Sequence, residues 1–290
     1  MIKTYPLPRD AHRGRRDDEP TLLPLQSLVH KRVADEVLLA WASPRSGGAW
    51  AFGIDLPHRH SSNARGRATV PLISGLEIVR QLGLAIGHLH ANVPIDWAYT
   101  LQKARFQWLS EPCGFDLDER FRPTAIVTVE DVVLRRGQVS GLVARTDLSL
   151  HGEAIAVGSG ELKCFTPETY RLLRRRLVRQ PAVPKEATTA DLRDVNIGVS
   201  EVNARLGWPS HDRFLFDHAT DHIPGMLLAR GAVAAHTELA AGEPDASIAV
   251  ECYRFAELDD EVQVHAQELR GHVVTEMQQG PHIVARVRTA

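Results

Sequence analysis

Along residues 72–90, LISGLEIVRQLGLAIGHLH, apolar side chains cover nearly every face of a 3.6-residue period, the pattern of a helix buried on most sides. Glycines at 75, 83 and 87 give up about 1 kcal/mol each of helix propensity relative to alanine. Gly83 and Gly87, four apart, lie on one face and predict a close approach there by another backbone. Farther on the period becomes two. TAIVTVEDVVL (124–134), VSGLVARTDLSLHG (139–152) and AIAVGSGELKCF (154–165), joined by RRGQ and HGE turns, predict three antiparallel strands. Ahead of the helix, LVHKRVADEVLLAWA (28–42) and AWAFGIDL (49–56) read as strand, Gly47-Gly48 turn, strand, and WAYTLQKARFQWL (97–109) offers a further strand.

The pattern then repeats. IPGMLLARGAVAAHTELA (223–240) is a second apolar segment, followed by a Gly-Glu-Pro turn and strand-like runs SIAVECYRFAEL (247–258), EVQVHAQELRG (261–271) and HIVARVRTA (282–290). In EVQVHAQ, Val262, Val264 and Ala266 alternate with Gln263, His265 and Gln267, as on a half-buried strand. Between the halves runs a basic stretch and a Pro-rich linker. The expected organisation is a mobile tail over 1–21, repeat one over 22–165, a linker over 166–193 and repeat two over 194–290. One apolar helix ahead of a run of antiparallel strands, twice, predicts an α+β tandem double hot-dog. Two central helices, each wrapped by a curved antiparallel sheet, would form a pseudo-dimer within one chain.

Composition narrows the function. The 290 residues suit two domains. A net charge of −2 leaves no basic excess for nucleic-acid binding. No apolar run is read as a membrane span, and MIKTYPLPRDAHRGRRDDEP lacks the apolar core of a secretory signal. Cys113, Cys164 and Cys252 are an odd, widely spaced set, which points to reduced buried thiols and a cytoplasmic setting. Among fourteen histidines, only HRH at 58–60 pairs two on one strand face, and no third ligand joins them, so neither metal nor cofactor is expected.

Three strings carry a family resemblance: VHKRVADEVLLA (29–40), EIVRQLG (77–83) and FDHATDHIPGMLLA (216–229). They resemble the A-factor biosynthesis family, tandem hot-dog enzymes of γ-butyrolactone signal formation in actinobacteria. The resemblance implies transfer of a β-ketoacyl group from acyl carrier protein to the hydroxyl of dihydroxyacetone phosphate, giving an ester that can cyclise to a butenolide. More remotely the strings resemble β-hydroxyacyl-ACP dehydratases, in which a loop His-x-Pro and a helix carboxylate share a site. That likeness implies His222 facing Glu77 across the pseudo-twofold. Arg80, Gln81, Asp221, Gly225 and Arg230 would hold substrate. The second site would pair His58 or His60 with Arg230, where the family pattern has Glu; repeat two also replaces the Arg80–Gln81 pair with Val233 and Ala234. Arg230 then marks a site that lost its carboxylate or came to bind an anion.

Burial raises a carboxyl pKa and lowers an imidazole's, so Glu77 or His222 would take the hydroxyl proton near neutral pH. Backbone N–H groups near Gly225 and Met226 would hold the oxyanion, and Arg80 or Arg230 a phosphate. Structural roles compete: Asp217 and Asp221 as caps, His218 as a plain loop residue, Arg80 as the salt-bridge partner of Glu77, Arg230 reaching solvent. RLLRRRLVR (171–179) suits either docking of acyl carrier protein or a solvated linker helix. Alternative functions are a hot-dog dehydratase or thioesterase, or a non-catalytic acyl-binding module, and further association as a homo-oligomer is open.

Overall fold

The structure, a computed structural model, describes residues 25–63, 65–175, 191–209, 211–218 and 220–290. The expected tail over 1–21 and the Pro-rich part of the linker lie outside the described residues. A short helix α1 (Leu25–Leu28) leads to β1 (Leu39–Pro44), β2 (Trp50–Ile54) and β3 (Leu56–Pro57). The long helix α2 (Leu72–Leu89) precedes β4 (Ala98–Trp108), β5 (Arg120–Phe121), β6 (Thr124–Arg135), β7 (Gln138–Leu150) and β8 (Glu153–Phe165). After α3 (Pro167–Arg174) come β9 (Leu192–Ile197), β10 (Glu201–Leu206), α4 (Gly225–Ala240), β11 (Ser247–Cys252), β12 (Gln263–Leu269), β13 (His272–Gln279) and β14 (His282–Thr289).

Twelve strands form one antiparallel sheet in the order β1-β2-β6-β7-β8-β4-β11-β14-β13-β12-β10-β9. Read outward from its centre, each half repeats the same sequence of strands. The halves join edge to edge at β4 and β11, where Ile248 stands opposite Phe106 and Val250 opposite Ala104. This junction leaves neither half an open inner edge. The architecture is the tandem double hot-dog: α2 and α4 are the two central helices, and the chain supplies both halves of its pseudo-dimer.

Helix α2 buries Leu72, Ile73, Leu76, Ile78, Val79, Leu82, Leu84 and Ile86. At about 2 kcal/mol per aliphatic side chain, this burial opposes the entropy of ordering the helix with on the order of 15 kcal/mol. Its glycines make room for the sheet. A Cβ on Gly75 would lie 2.4 Å from the Phe106 ring, and one on Gly87 2.4 Å from Tyr99 Oη. On the Gly83–Gly87 face it is side chains, those of Leu162 and Tyr99, that come close, rather than a second backbone. By length and apolarity α2 does reach what a bilayer span requires, contrary to the expectation from sequence, but 89% of it is buried within the fold.

Other elements also differ from the sequence reading. Residues 28–38 are not strand. Helix α1 ends in a turn at His30, a single helical turn spans Ala34–Glu36, and pairing begins only at Leu39. The run from 282 is preceded by a separate strand, β13, whose buried face carries Thr275 and Gln279 beside Val273 and Met277, which hides the alternation. Strand β9, exposed along most of its length at the sheet edge, gives no apolar signal either.

Candidate functional site

The segment after α1 and the loop ahead of α4 meet over the N-terminal half of α2. Helix α2 carries Glu77, 1% exposed, in its second turn. Arg80 grips it with two parallel hydrogen bonds, Nε to Oε2 and Nη2 to Oε1, both 2.7 Å. Gln81 Nε2 donates to Glu77 Oε1 at 2.8 Å and Lys31 Nζ stands 3.7 Å from the same oxygen. Gln81 is fixed in turn by the Leu38 N–H, which donates to its Oε1, and by the Glu36 carbonyl, which accepts from its Nε2. Lys31 also donates to the Phe214 carbonyl at 3.0 Å. The Arg32 N–H donates to Asp217 at 2.8 Å, and Asp217 holds His218 Nδ1 at 2.5 Å. A lysine and an arginine are thus locked on one buried carboxylate, and the loop of the second half is pinned across them.

The electrostatics differ from the expected proton exchange. Burial alone would raise the Glu77 carboxyl, but Arg80, Lys31 and the Gln81 hydrogen bond outweigh it and bring the pKa down to about 2. Burial likewise works against ionised Asp217, yet His218, the Arg32 N–H and Lys31 hold it near 2. Both are carboxylates at neutral pH. Both Glu77 oxygens already accept hydrogen bonds, Oε2 from Arg80 and Oε1 from Arg80 and Gln81, so the carboxylate anchors the cluster. Arg80, 22% exposed, keeps Nη1 without a partner among the described residues.

His222 lies in a different network. Its Nδ1 meets Asp221 at 2.6 Å and its ring packs edge-on against Phe255. Asp221 also accepts from Tyr170 Oη and from Arg174 Nε, and Arg174 forks onto Glu257 while stacking over Phe255. Burial would raise the Asp221 carboxyl, but His222, Tyr170 and Arg174 pull it well below the usual range. Among the described residues, His222 shares no hydrogen bond, ion pair or ring contact with Glu77. The loop of the second half does reach the Glu77 cluster, but through Phe214, Asp217 and His218. Of the 171–179 arginine run, Arg174 is buried in this network, Arg171 and Arg175 are exposed, and Arg176 and Arg179 lie outside the described residues. Among the described residues the His222 Nε2 has no partner, and just beyond it α4 begins at Gly225 behind its N-cap Pro224, with no backbone acceptor among them for the Gly225 and Met226 N–H groups.

A model of the A-factor biosynthesis hotdog domain matches residues 15–166, more than half of the chain. The chain belongs to this family. It is 24% identical over 263 residues to a 2-oxo-3-(phosphooxy)propyl 3-oxoalkanoate synthase of Streptomyces virginiae, covering 84% of this chain and 87% of that protein. To the protein of the same description from Streptomyces coelicolor it is 27% identical over 234 residues, covering 74% and 72%. Among solved structures, the 12:0-ACP thioesterase from Umbellularia californica superposes with a TM-score of 0.50 at 9% identity, over 84% of this chain and 97% of that one, a likeness of fold.

Within this A-factor-family chain the second pseudo-symmetric site has a different character. With the N-cap prolines Pro71 and Pro224 in register, Arg230 stands where α2 has Glu77. Arg230 Nε donates to Asp191 at 2.8 Å and its Nη1 meets Asp212. The first site's arrangement, one anion held by two cations, is here inverted to one cation held by two anions. A cavity of about 400 Å³ opens there between the Ser61–Arg67 loop and α4. An anion would have to displace a carboxylate to reach Arg230. The same register puts Thr69, not His58 or His60, opposite His222. His58 Nε2 donates to the Arg67 carbonyl of its own loop at 2.9 Å; because that carbonyl can only accept, the Nε2 carries the proton. His60 is buried with Ser62 at 2.8 Å, and its Nε2 stands 3.2 Å from Glu36, off the line of a good hydrogen bond. Sequence reasoning did not single out Lys31, although it sits in the quoted VHK string. A lysine two residues after a buried valine, on the same side of the chain as the helix carboxylate, was the available signal.

Proposed function

We propose that the protein is an acyltransferase that moves a β-ketoacyl group from an acyl-carrier-protein thioester to the hydroxyl of dihydroxyacetone phosphate. The observation that carries this reading is the Lys31–Glu77–Arg80 cluster. It presents an arginine already oriented by a bidentate carboxylate, with one guanidinium nitrogen left over and partial access to solvent. Such a fork suits a phosphate, and an anchored cation loses little entropy on binding one. The relatives' description names the same product, a 3-oxoalkanoate ester bearing a phosphooxy-ketone.

The chemistry asks for three things. The acceptor phosphate is held by Arg80, with Lys31 adding to the positive field. The thioester carbonyl oxygen, which gains negative charge on attack, is received by the free N–H groups of Gly225 and Met226 at the start of α4. The hydroxyl oxygen attacks the carbonyl carbon, and the C–S bond breaks with its electron pair on sulfur. His222, beside the helix start and fixed through Asp221, serves this donor end. Its Nε2 is free to exchange a proton with the departing thiol. The thiols of buried Cys164 and half-buried Cys252 are poor nucleophiles here, since desolvation pushes both up to about 12.

Release of free thiol from a β-ketoacyl thioester, followed with and without dihydroxyacetone phosphate, tests the proposal. Release that depends on the acceptor supports it. Equal release in both reactions would make the protein a thioesterase, and loss of water from a β-hydroxyacyl thioester without thiol release would make it a dehydratase.

A further inference from the structure

Proton transfer from the acceptor hydroxyl needs a base at the Arg80 end of the site, where both Glu77 oxygens are already held by Arg80 and Gln81. His30 sits there. Arg80 and His218 are both close enough to bear on its charge. Three features of its environment bear on its role.

The first is its protonation pattern. His88, on the last turn of α2, has Nδ1 2.6 Å from the Val93 carbonyl. A carbonyl only accepts, so His88 Nδ1 carries the proton. His88 is buried, and burial lowers its pKa, so it is neutral and its Nε2 is a lone pair. His30 Nε2 is 2.9 Å from that lone pair and must therefore donate to it. What remains on neutral His30 is a lone pair at Nδ1, and no partner for it exists among the described residues. The tautomer is fixed from Val93 outward. Burial, His88 and the Arg80 charge together bring His30 down to about 4, so it is neutral at physiological pH.

The second is its packing. The ring stacks on His88 at 5.1 Å between centroids and meets the edge of Tyr99 at 5.5 Å. Tyr99 and Leu101 share a face of β4, and a Cβ on Gly225 would stand 3.5 Å from Leu101. One row of side chains thus connects His30 with the α4 start.

The third is its backbone. His30 has φ +55°. Its N–H bonds to the Ser27 carbonyl and the next N–H, of Lys31, bonds to the Gln26 carbonyl. This is the paired closure that ends a helix through a left-handed residue, a position that favours glycine or asparagine. A histidine there costs on the order of 1 kcal/mol of conformational energy, and strain of this kind persists where the side chain has work to do.

We infer that His30 is the base that accepts the acceptor hydroxyl proton at its Nδ1, with His88 as the positioning residue that fixes its tautomer. This rests on the acyl-transfer reading above. The O–H bond breaks as the C–O bond to the thioester carbonyl carbon forms, and the proton goes to His30 Nδ1. The C–S electron pair leaves on the sulfur as thiolate, and His30 returns its proton to solvent.

The test uses the full chain with His30→Gly and His30→Asn, both suited to a left-handed backbone. Acceptor-dependent thiol release and the thermal midpoint are measured for each. Expected are a midpoint equal to or above wild type and a kcat lower by about 100-fold or more, with added imidazole restoring part of the rate of His30→Gly. His88→Gln is expected to lower kcat with little change in KM for the acceptor. Rates within threefold of wild type for His30→Gly would overturn the assignment. So would a rate loss that imidazole leaves unchanged and that comes with a lowered midpoint, or a full loss in His218→Asn with His30→Gly unaffected. A wild-type protein that releases no thiol with the acceptor would overturn the transfer reading and this assignment with it.

Discussion

Replacing Glu77 by glutamine keeps the shape of the side chain and removes its charge. The carboxyl sits at about 2 in the folded chain, against an ordinary 4.5. A downward shift of this size corresponds to about 3 kcal/mol of stability at pH 7. A depressed carboxyl contributes its full share above the unfolded value and loses it as pH falls through the folded one. The contribution is therefore complete at pH 7, about 1.5 kcal/mol at pH 3 and gone below both values. The same magnitude follows from the partners: Lys31 and Arg80 keep their charges and lose the buried carboxylate they share, and breaking a buried pair costs about 3–5 kcal/mol. Guanidinium unfolding of wild type and Glu77→Gln at pH 7 and pH 3 measures this. A loss of about 3 kcal/mol at pH 7 that halves at pH 3 is expected. A variant within 1 kcal/mol of wild type at pH 7, or an equal gap at both pH values, would show that Glu77 is not the ionised anchor described.

Removing the cation of the second site, Arg230→Ala, leaves Asp191 and Asp212 facing each other; a stability loss of about 2–4 kcal/mol is expected in denaturant melts, with the rate per folded molecule unchanged if that site takes no part. Gly87→Ala forces Tyr99 away from α2, because the new Cβ would fall 2.4 Å from its hydroxyl; about 1–3 kcal/mol should be lost, along with acceptor-dependent turnover, since Tyr99 braces His30 and His88. At pH 7.5 iodoacetamide should leave Cys164 and Cys252 unmodified by mass spectrometry, their thiols being pushed up to about 12 by burial; rapid labelling of either in the folded protein would contradict that burial.

The sequence reveals those features whose physics is local. The apolar run of α2 and the alternation in β6, β7, β8 and β12 are written residue by residue, and with the repeat they define the double hot-dog. Strand β13 escapes because Thr275 and Gln279 occupy inward positions where alternation demands apolar residues. Helix α1 escapes because it is too short to show a period. In the site, Glu77, Arg80 and Gln81 are legible as a helix string, and the structure joins them. The partner across the interface is not, since which residue of FDHATDH reaches α2 depends on loop conformation. Asp217 and His218 reach the cluster, while Asp221 and His222 turn toward Tyr170 and Arg174. The expected rise in the Glu77 pKa fails for a related reason. Burial was readable in the helix pattern, but the lysine 46 positions earlier in the chain that reverses its effect was not.

The central claim is the transfer itself, and mass spectrometry of the product tests it most directly. Wild-type protein is incubated with a β-ketoacyl thioester and dihydroxyacetone phosphate, and the organic products are weighed. A phosphorylated ester with the mass of the acceptor plus the acyl group, absent when either substrate is omitted, is the predicted result. Free β-keto acid as the sole product, with the phosphorylated acceptor recovered unchanged, would contradict it.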